Sequence, residues 1–328
     1  MPWLIFFVTS AIVVFAAIKL AEYGDIISVR TGLGGLVVGT IFLAGATSLP
    51  ELLAAISSFA AGEPNLAAGN FFGSNMVNIV LLAIIDGIHY QVPLLRRAAV
   101  SHALTASLAM IMMLIAVLAI MLRLDIGVGW FGFDSVALIA VYFVGMRLIQ
   151  KQMSGEVQSA EKMTPAIGFP TLRRGIIGFA IASLVLIVVV PFLVSSATDI
   201  AEITGLGTTF VGTALLSVVT SLPELVAAYG AVRIGAYDLA VGNLFGSSVF
   251  NMFGLALSDA FYTDGFLLSV IDESFALVGL FALLMTGVAL FANLSRVERK
   301  IGFIELDAFV IIAIYLLAML LLYTRGIG

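Results

Sequence analysis

The sequence predicts an all-α polytopic membrane protein of ten transmembrane helices, built as two inverted five-helix repeats. Three observations carry that expectation. Of the 328 residues, 62% are hydrophobic and 11% charged, with mean hydropathy +1.18; soluble domains hold about 45–50% apolar and about 25% charged residues. Apolar runs long enough to cross a bilayer, which takes about 20 residues, recur from end to end. The first half also recurs in the second at a constant offset. This composition excludes a water-soluble enzyme and a disordered chain. The absence of cysteine excludes a disulfide scaffold, a thiolate metal site and thiol catalysis, and a net charge of −5 leaves no basic footprint for nucleic acid.

Charges, prolines and glycines delimit the spans. The first half holds Trp3–Leu20, Gly32–Ala61, Leu66–Ile85, Ala98–Leu122 and Phe133–Ile149; the second holds Gly175–Ala197, Gly205–Arg233, Leu239–Leu257, Phe275–Leu294 and Leu306–Tyr323. Trp3–Leu20 lacks a basic leading segment and a small-residue cleavage site, so it reads as a helix and not a signal peptide. Residues 1–149 and 173–328 form the two halves, joined by a cytoplasmic linker over 150–172 with two prolines and mixed charges. Assigning Lys and Arg to alternate sides puts 13 on one face and only Arg123 and Arg325 on the other. Positive loops stay cytoplasmic, so both termini lie outside an integral, multi-pass cell-membrane protein.

The repeat is ungapped. Gly39–Asn78 and Gly212–Asn251 agree at 20 of 40 positions with an offset of 173. Thr47-Ser48-Leu49-Pro50-Glu51 matches Thr220-Ser221-Leu222-Pro223-Glu224, and Gly69-Asn70 with Gly73-Ser74 matches Gly242-Asn243 with Gly246-Ser247. Five spans per half is an odd number, so the second half enters the membrane the other way round. Inverted repeats mark secondary transporters, whose site lies near the midplane at the repeat interface. A duplicated scaffold without transport would explain the symmetry, but not polar residues kept at one depth in both copies.

Glu51 and Glu224 lie deepest among the ionisable residues, and the one basic residue in their two spans, Arg233, stands at a span's end. A carboxylate near the bilayer centre costs about 3 kcal/mol on insertion scales, which makes both functional candidates. Pro50 and Pro223 delete an N–H and free the carbonyls of Ala46 and Val219. Thr47 shares a helix face with Glu51, and Thr220 with Glu224, at i, i+4 spacing. Asn70, Ser74 and Asn78 form a second stripe at four-residue intervals, matched by Asn243, Ser247 and Asn251. For Asn70 and Asn243 the bland reading is packing glue between helices. Oxygen-only donors suit hard cations, calcium in particular. Two facing carboxylates repel unless a divalent cation, two or more monovalent cations or two protons lie between them, so only a loaded carrier would switch sides readily.

These residues resemble the α-repeats of the calcium/cation antiporter superfamily, and within it the sodium/calcium exchangers. The family's α-repeats carry Gly-Thr-Ser-Leu-Pro-Glu followed some twenty residues later by Gly-Asn-x-x-Gly-Ser-Asn, and the resemblance rests on the Thr-Ser-Leu-Pro-Glu and Gly-Asn-x-x-Gly-Ser shared by both halves here. It implies a central cation cluster of Thr47, Ser48, Glu51, Ser74 and Asn78 with Thr220, Ser221, Glu224, Ser247 and Asn251, joined by the backbone carbonyls of Ala44 and Ser217. It also implies a cycle in which the first and sixth helices slide past the rest. The sequence departs from the motif at Ala46 and Val219, where the glycine is missing, and at Ser248, which stands where Asn75 stands in the first copy. Asn251 occupies a position that some relatives fill with Asp, leaving two central carboxylates.

The expected function is antiport of calcium against sodium by alternating access, with no catalytic residue and no cofactor. Its partners are inorganic cations and the lipid bilayer, with no obligate protein partner evident. Proton-coupled exchange is the near alternative. A channel would need no counter-ion, and an intramembrane hydrolase lacks a deep histidine or lysine to activate a serine. Asp86 and Asp259 keep the 173 offset near helix ends, where carboxylates are ordinary. His89 and His102 have no partner at zinc-ligand spacing, and no Gly-rich phosphate loop follows a strand, since no strand is expected.

Overall fold

A computed structural model describes residues 1–31, 44–88, 101–156, 170–233, 235–295, 300–301 and 304–324. The first half comprises α1 (Pro2–Thr31), α2 (Leu49–Ala60), α3 (Pro64–Ile88), α4 (Ser101–Leu122) and α5 (Phe133–Glu156). The second comprises α6 (Leu172–Thr204), a composite span of α7 (Gly207–Val211), α8 (Ser217–Thr220) and α9 (Leu222–Arg233), then α10 (Tyr237–Ser258), the short α11 (Leu267–Val270), α12 (Ser274–Ser295) and α13 (Leu306–Thr324). Among the described residues nine spans are long and apolar enough to cross a membrane. The tenth is the span predicted over 32–61, of which 32–43 lie outside the description and 44–47 and α2 are helical. The fold is therefore the expected one, ten membrane helices in two inverted repeats.

Burial sorts these helices into layers. In the central windows of α3 and α10, 89% and 78% of residues are buried, against 28% in α6. The two polar stripes thus run through the middle of the molecule, where lipid does not reach them. Phe71, Phe72, Met76, Met112, Phe245 and Phe275 pack the spaces between α3, α4, α10 and α12. A second apolar cluster, including Val13, Leu20, Leu186, Val190 and Leu193, joins α1 to α6 along their length. There Gly175 and Gly178 admit Ile26 and Tyr23 of α1. Phe7, Phe15, Leu184 and Phe192 remain exposed on the outer faces of this pair, as lipid-facing positions should.

Several boundaries differ from those predicted. α1 runs on through Lys19, Glu22, Asp25 and Arg30, because charge stops a hydropathy reading but not a helix. Lys19 pairs with Glu22 one turn on at 2.6 Å, and Arg30 donates to the carbonyl of Pro170 at 2.8 Å. α5 extends to Glu156, and α6 starts at Leu172 with Thr171 accepting from the Arg174 N–H, so helix takes both ends of the predicted linker. α6 continues through Pro191. The chain turns sharply between α6 and α7, where Gly205 (φ 67°) and Gly207 (φ 71°) adopt left-handed conformations that glycine tolerates best. The matching glycines, Gly32 and Gly34, fall outside the described residues. Two antiparallel ladders, Gly127–Val128 with Phe131–Gly132 and Lys300–Ile301 with Ile304–Glu305, correct the expectation that no strand is present.

Candidate cation site

The two motif spans break at equivalent residues. Ser48 interrupts the first at φ −88°, ψ 8°, and Ser221 interrupts the second at φ −89°, ψ 1°. Each break precedes the Leu-Pro-Glu of its motif, where proline cannot donate to the turn before it. Each glutamate consequently lies in the first turn of a new helix, α2 or α9, favourable for an anion because unpaired N–H groups and the positive helix end point toward it. A π-helical segment over Gly212–Leu216 widens the second span just before its motif. Such segments recur at functional sites.

α3 crosses this π-helical segment at backbone contact. A Cβ on Gly73 would lie 2.7 Å from the Thr213 carbonyl oxygen and 2.8 Å from the Ser217 side chain; one on Gly212 would lie 2.7 Å from the Leu66 carbonyl oxygen. Glycine at this crossing lets the two halves meet closely enough for side chains of one to reach carboxylates of the other.

They do so reciprocally. Ser48 Oγ donates to Glu224 Oε1 at 3.0 Å, and Ser221 Oγ donates to Glu51 Oε1 at 3.4 Å. Thr47 and Ser247 hydroxyls meet at 3.4 Å, and their counterparts Thr220 and Ser74 at 3.5 Å. Ser74 Oγ also donates to Glu51 Oε1 at 3.4 Å. Glu51, Glu224, Thr47, Ser74, Thr220, Ser221 and Ser247 are fully buried, and no Lys or Arg is buried among the described residues. In both glutamates Oε2 has no hydrogen-bond partner. Such an arrangement of buried anions, ringed by hydroxyls and with one oxygen each to spare, calls for positive charge between them.

The remaining predicted residues divide. Asn78 and Asn251 are buried on α3 and α10, one turn beyond Ser74 and Ser247; neither Asn78 amide atom has a partner, nor does Asn251 Oδ1. The carbonyls of Ala44 and Ser217 are already engaged. Ala44 O accepts from Ser48 N–H and Thr47 Oγ1, and Ser217 O from Ser221 N–H and Thr220 Oγ1. Asn70 and Asn243 do more than join helices: their amides donate to the backbone carbonyls of Glu51 (3.3 Å) and Glu224 (3.5 Å). Asn70 also accepts from Thr220 across the halves at 2.9 Å.

Outside this centre, Asp259 caps the end of α10 and staples two loops, accepting from the N–H groups of Gly132 (2.8 Å) and Leu267 (2.9 Å). Its mate Asp86 gathers with Glu305 and Asp307, carboxylate oxygens within 4.8 Å of one another, a meeting that no local spacing foretold. None of these three is without other interactions. His102 faces Asp238 at 3.2 Å, and His89 lies outside the described residues.

The chain is similar to known membrane proteins. The inner membrane protein YrbG of Escherichia coli strain K12 is 26% identical over 250 residues, 74% of each chain. The solved structure of the H+/Ca2+ exchanger CAX superposes with a TM-score of 0.71 at 14% identity, covering 99% of this chain and 88% of that one. The sodium-calcium exchanger NCX_Mj superposes with a TM-score of 0.58 at 21% identity, covering 98% and 99%. At these identities the two structures establish the fold. The model of the family described as sodium/calcium exchanger protein matches residues 1–149 and 174–324, and the chain belongs to that family of membrane cation exchangers.

Proposed function

We propose that the protein exchanges Ca2+ for Na+ across the cell membrane, with both termini outside, and that Glu51 and Glu224 share the cation. The carrying observation is the cross-clasped pair of buried carboxylates, each with one oxygen unpartnered and, among the described residues, no cationic side chain buried nearby. Thr47, Ser48, Ser74, Thr220, Ser221 and Ser247 complete an oxygen-only shell, extended by Asn78 and Asn251. Six to eight oxygens suit calcium, and the same oxygens serve sodium. The carbonyls of Ala44 and Ser217 join once their threonine donors turn away.

Coupling follows from charge. Carrying two bare carboxylates through a closed, water-poor state is costly, and one divalent ion or monovalent ions in its place remove that cost. The empty carrier is therefore held on one side until an ion binds, which makes transport an exchange and not a leak. The test is 45Ca2+ uptake by proteoliposomes of the purified chain under an outward Na+ gradient, an outward H+ gradient, or neither. Uptake driven by Na+ supports the proposal, uptake driven only by H+ reassigns the counter-ion, and uptake independent of both contradicts exchange.

A further inference from the structure

The side-chain donors of the two halves match pair for pair, but the residue beside the site serine differs, and the difference changes how an ion would be held. Asn75 and Ser248 occupy matching positions, each adjacent to the site serine of its helix, Ser74 or Ser247. Asn75 crosses to the other half: its Oδ1 accepts from Asn251 Nδ2 at 3.1 Å, with both side chains buried. Ser248 cannot reciprocate, because its hydroxyl turns back to the Leu244 carbonyl of its own helix at 3.1 Å. Asn251 is thus fixed through its nitrogen, leaving Oδ1 as a buried acceptor with no partner, whereas Asn78 has neither amide atom engaged.

Resting on the reading of a shared cation between Glu51 and Glu224, we infer that Asn75 is a positioning residue that turns the Asn251 carbonyl oxygen to the ion, so only one of two mirrored asparagines is pre-oriented. The amide pair has a reversed arrangement, with Asn75 donating and Asn251 Oδ1 accepting. That arrangement would present Asn251 Nδ2, a donor, one turn from the serine ring around the carboxylates. A bound cation selects against it. Groups that orient a metal ligand from behind typically change metal affinity 10- to 100-fold when removed. Asn78 has no such support and loses side-chain freedom on binding.

The experiment transplants the clamp. Full-length wild-type, Asn75→Ser, Ser248→Asn and the double variant are reconstituted, and the half-saturating Ca2+ concentration and maximal rate of 45Ca2+ uptake are measured. Asn75→Ser is expected to raise the half-saturating concentration about tenfold at a maximal rate near wild type. The double variant, with the clamp moved to Asn78, should return to within about threefold of wild type. A merely structural role would lower rate and yield without this rescue. Half-saturation unchanged in Asn75→Ser, or no recovery in the double variant, overturns the inference. Should Asn75→Ser not fold, Ser248→Asn alone decides: tighter half-saturation supports the clamp, and an unchanged value overturns it. A wild type that takes up no Ca2+ under any gradient defeats the exchange reading itself, a result distinct from all of these.

Discussion

Ser48 and Ser221 each hold the glutamate of the opposite half, so removing either hydroxyl weakens a carboxylate encoded 176 or 170 residues away. Hydrogen bonds to charged groups contribute about 1.5–3 kcal/mol, enough for roughly tenfold weaker Ca2+ binding in Ser48→Ala. Ser221→Ala should cost less, because its bond is longer, 3.4 Å against 3.0 Å, and Ser74 shares the same Glu51 oxygen. Titrating each solubilised variant with Ca2+ by calorimetry checks both the loss and its order. The sequence exposes these serines and glutamates because the repeat marks them twice. Their crossed pairing is not legible there, since no spacing within a half says which half a hydroxyl will reach. Asn75 escaped for the opposite reason: its mate is serine, so repetition does not mark it, and only the fold brings it to Asn251.

At the scale of elements, hydropathy found the spans but misjudged their ends and continuity. The charges of α1 lie on a helix that outlasts the apolar run, and the seventh span proved to be α7, a π-helical segment, α8 and α9 in series. Proline signalled the interruptions at Ser48 and Ser221; nothing comparable in composition signals a π turn at Gly212–Leu216. The crossing of α3 over that turn yields a contrast between two glycines. Gly73→Ala places a methyl 2.7 Å from a backbone oxygen, so the helices must part, and melting temperature and Ca2+ uptake should both fall. Gly230→Ala, in α9 with nothing within 4 Å of the added methyl, should leave uptake unchanged and raise stability by up to about 1 kcal/mol. Thermal unfolding of the two variants in one detergent separates a general glycine effect from this crossing.

Over the whole molecule, the inverted repeat and the asymmetry of positive charge together support the proposed orientation. The chain contains no cysteine, so single cysteines report accessibility directly. Ala61→Cys and Asp264→Cys should react with a membrane-impermeant maleimide added to intact cells, while Arg233→Cys should react only after permeabilisation; the reverse pattern would invert the proposed topology. Ten spans, their duplication and the buried acidic centre were legible because each depends on long runs or repeated motifs. The three-carboxylate meeting of Asp86, Glu305 and Asp307 was not, since it joins the end of α3 to the start of α13 through tertiary packing alone. In the proposed function two halves supply one binding place, and Ca2+ binding to the solubilised full chain tests this most directly. The account predicts one Ca2+ per chain, displaced by Na+, and abolished by either Glu51→Gln or Glu224→Gln in protein that remains folded. Two independent Ca2+ sites, or undiminished binding after either substitution, would contradict it.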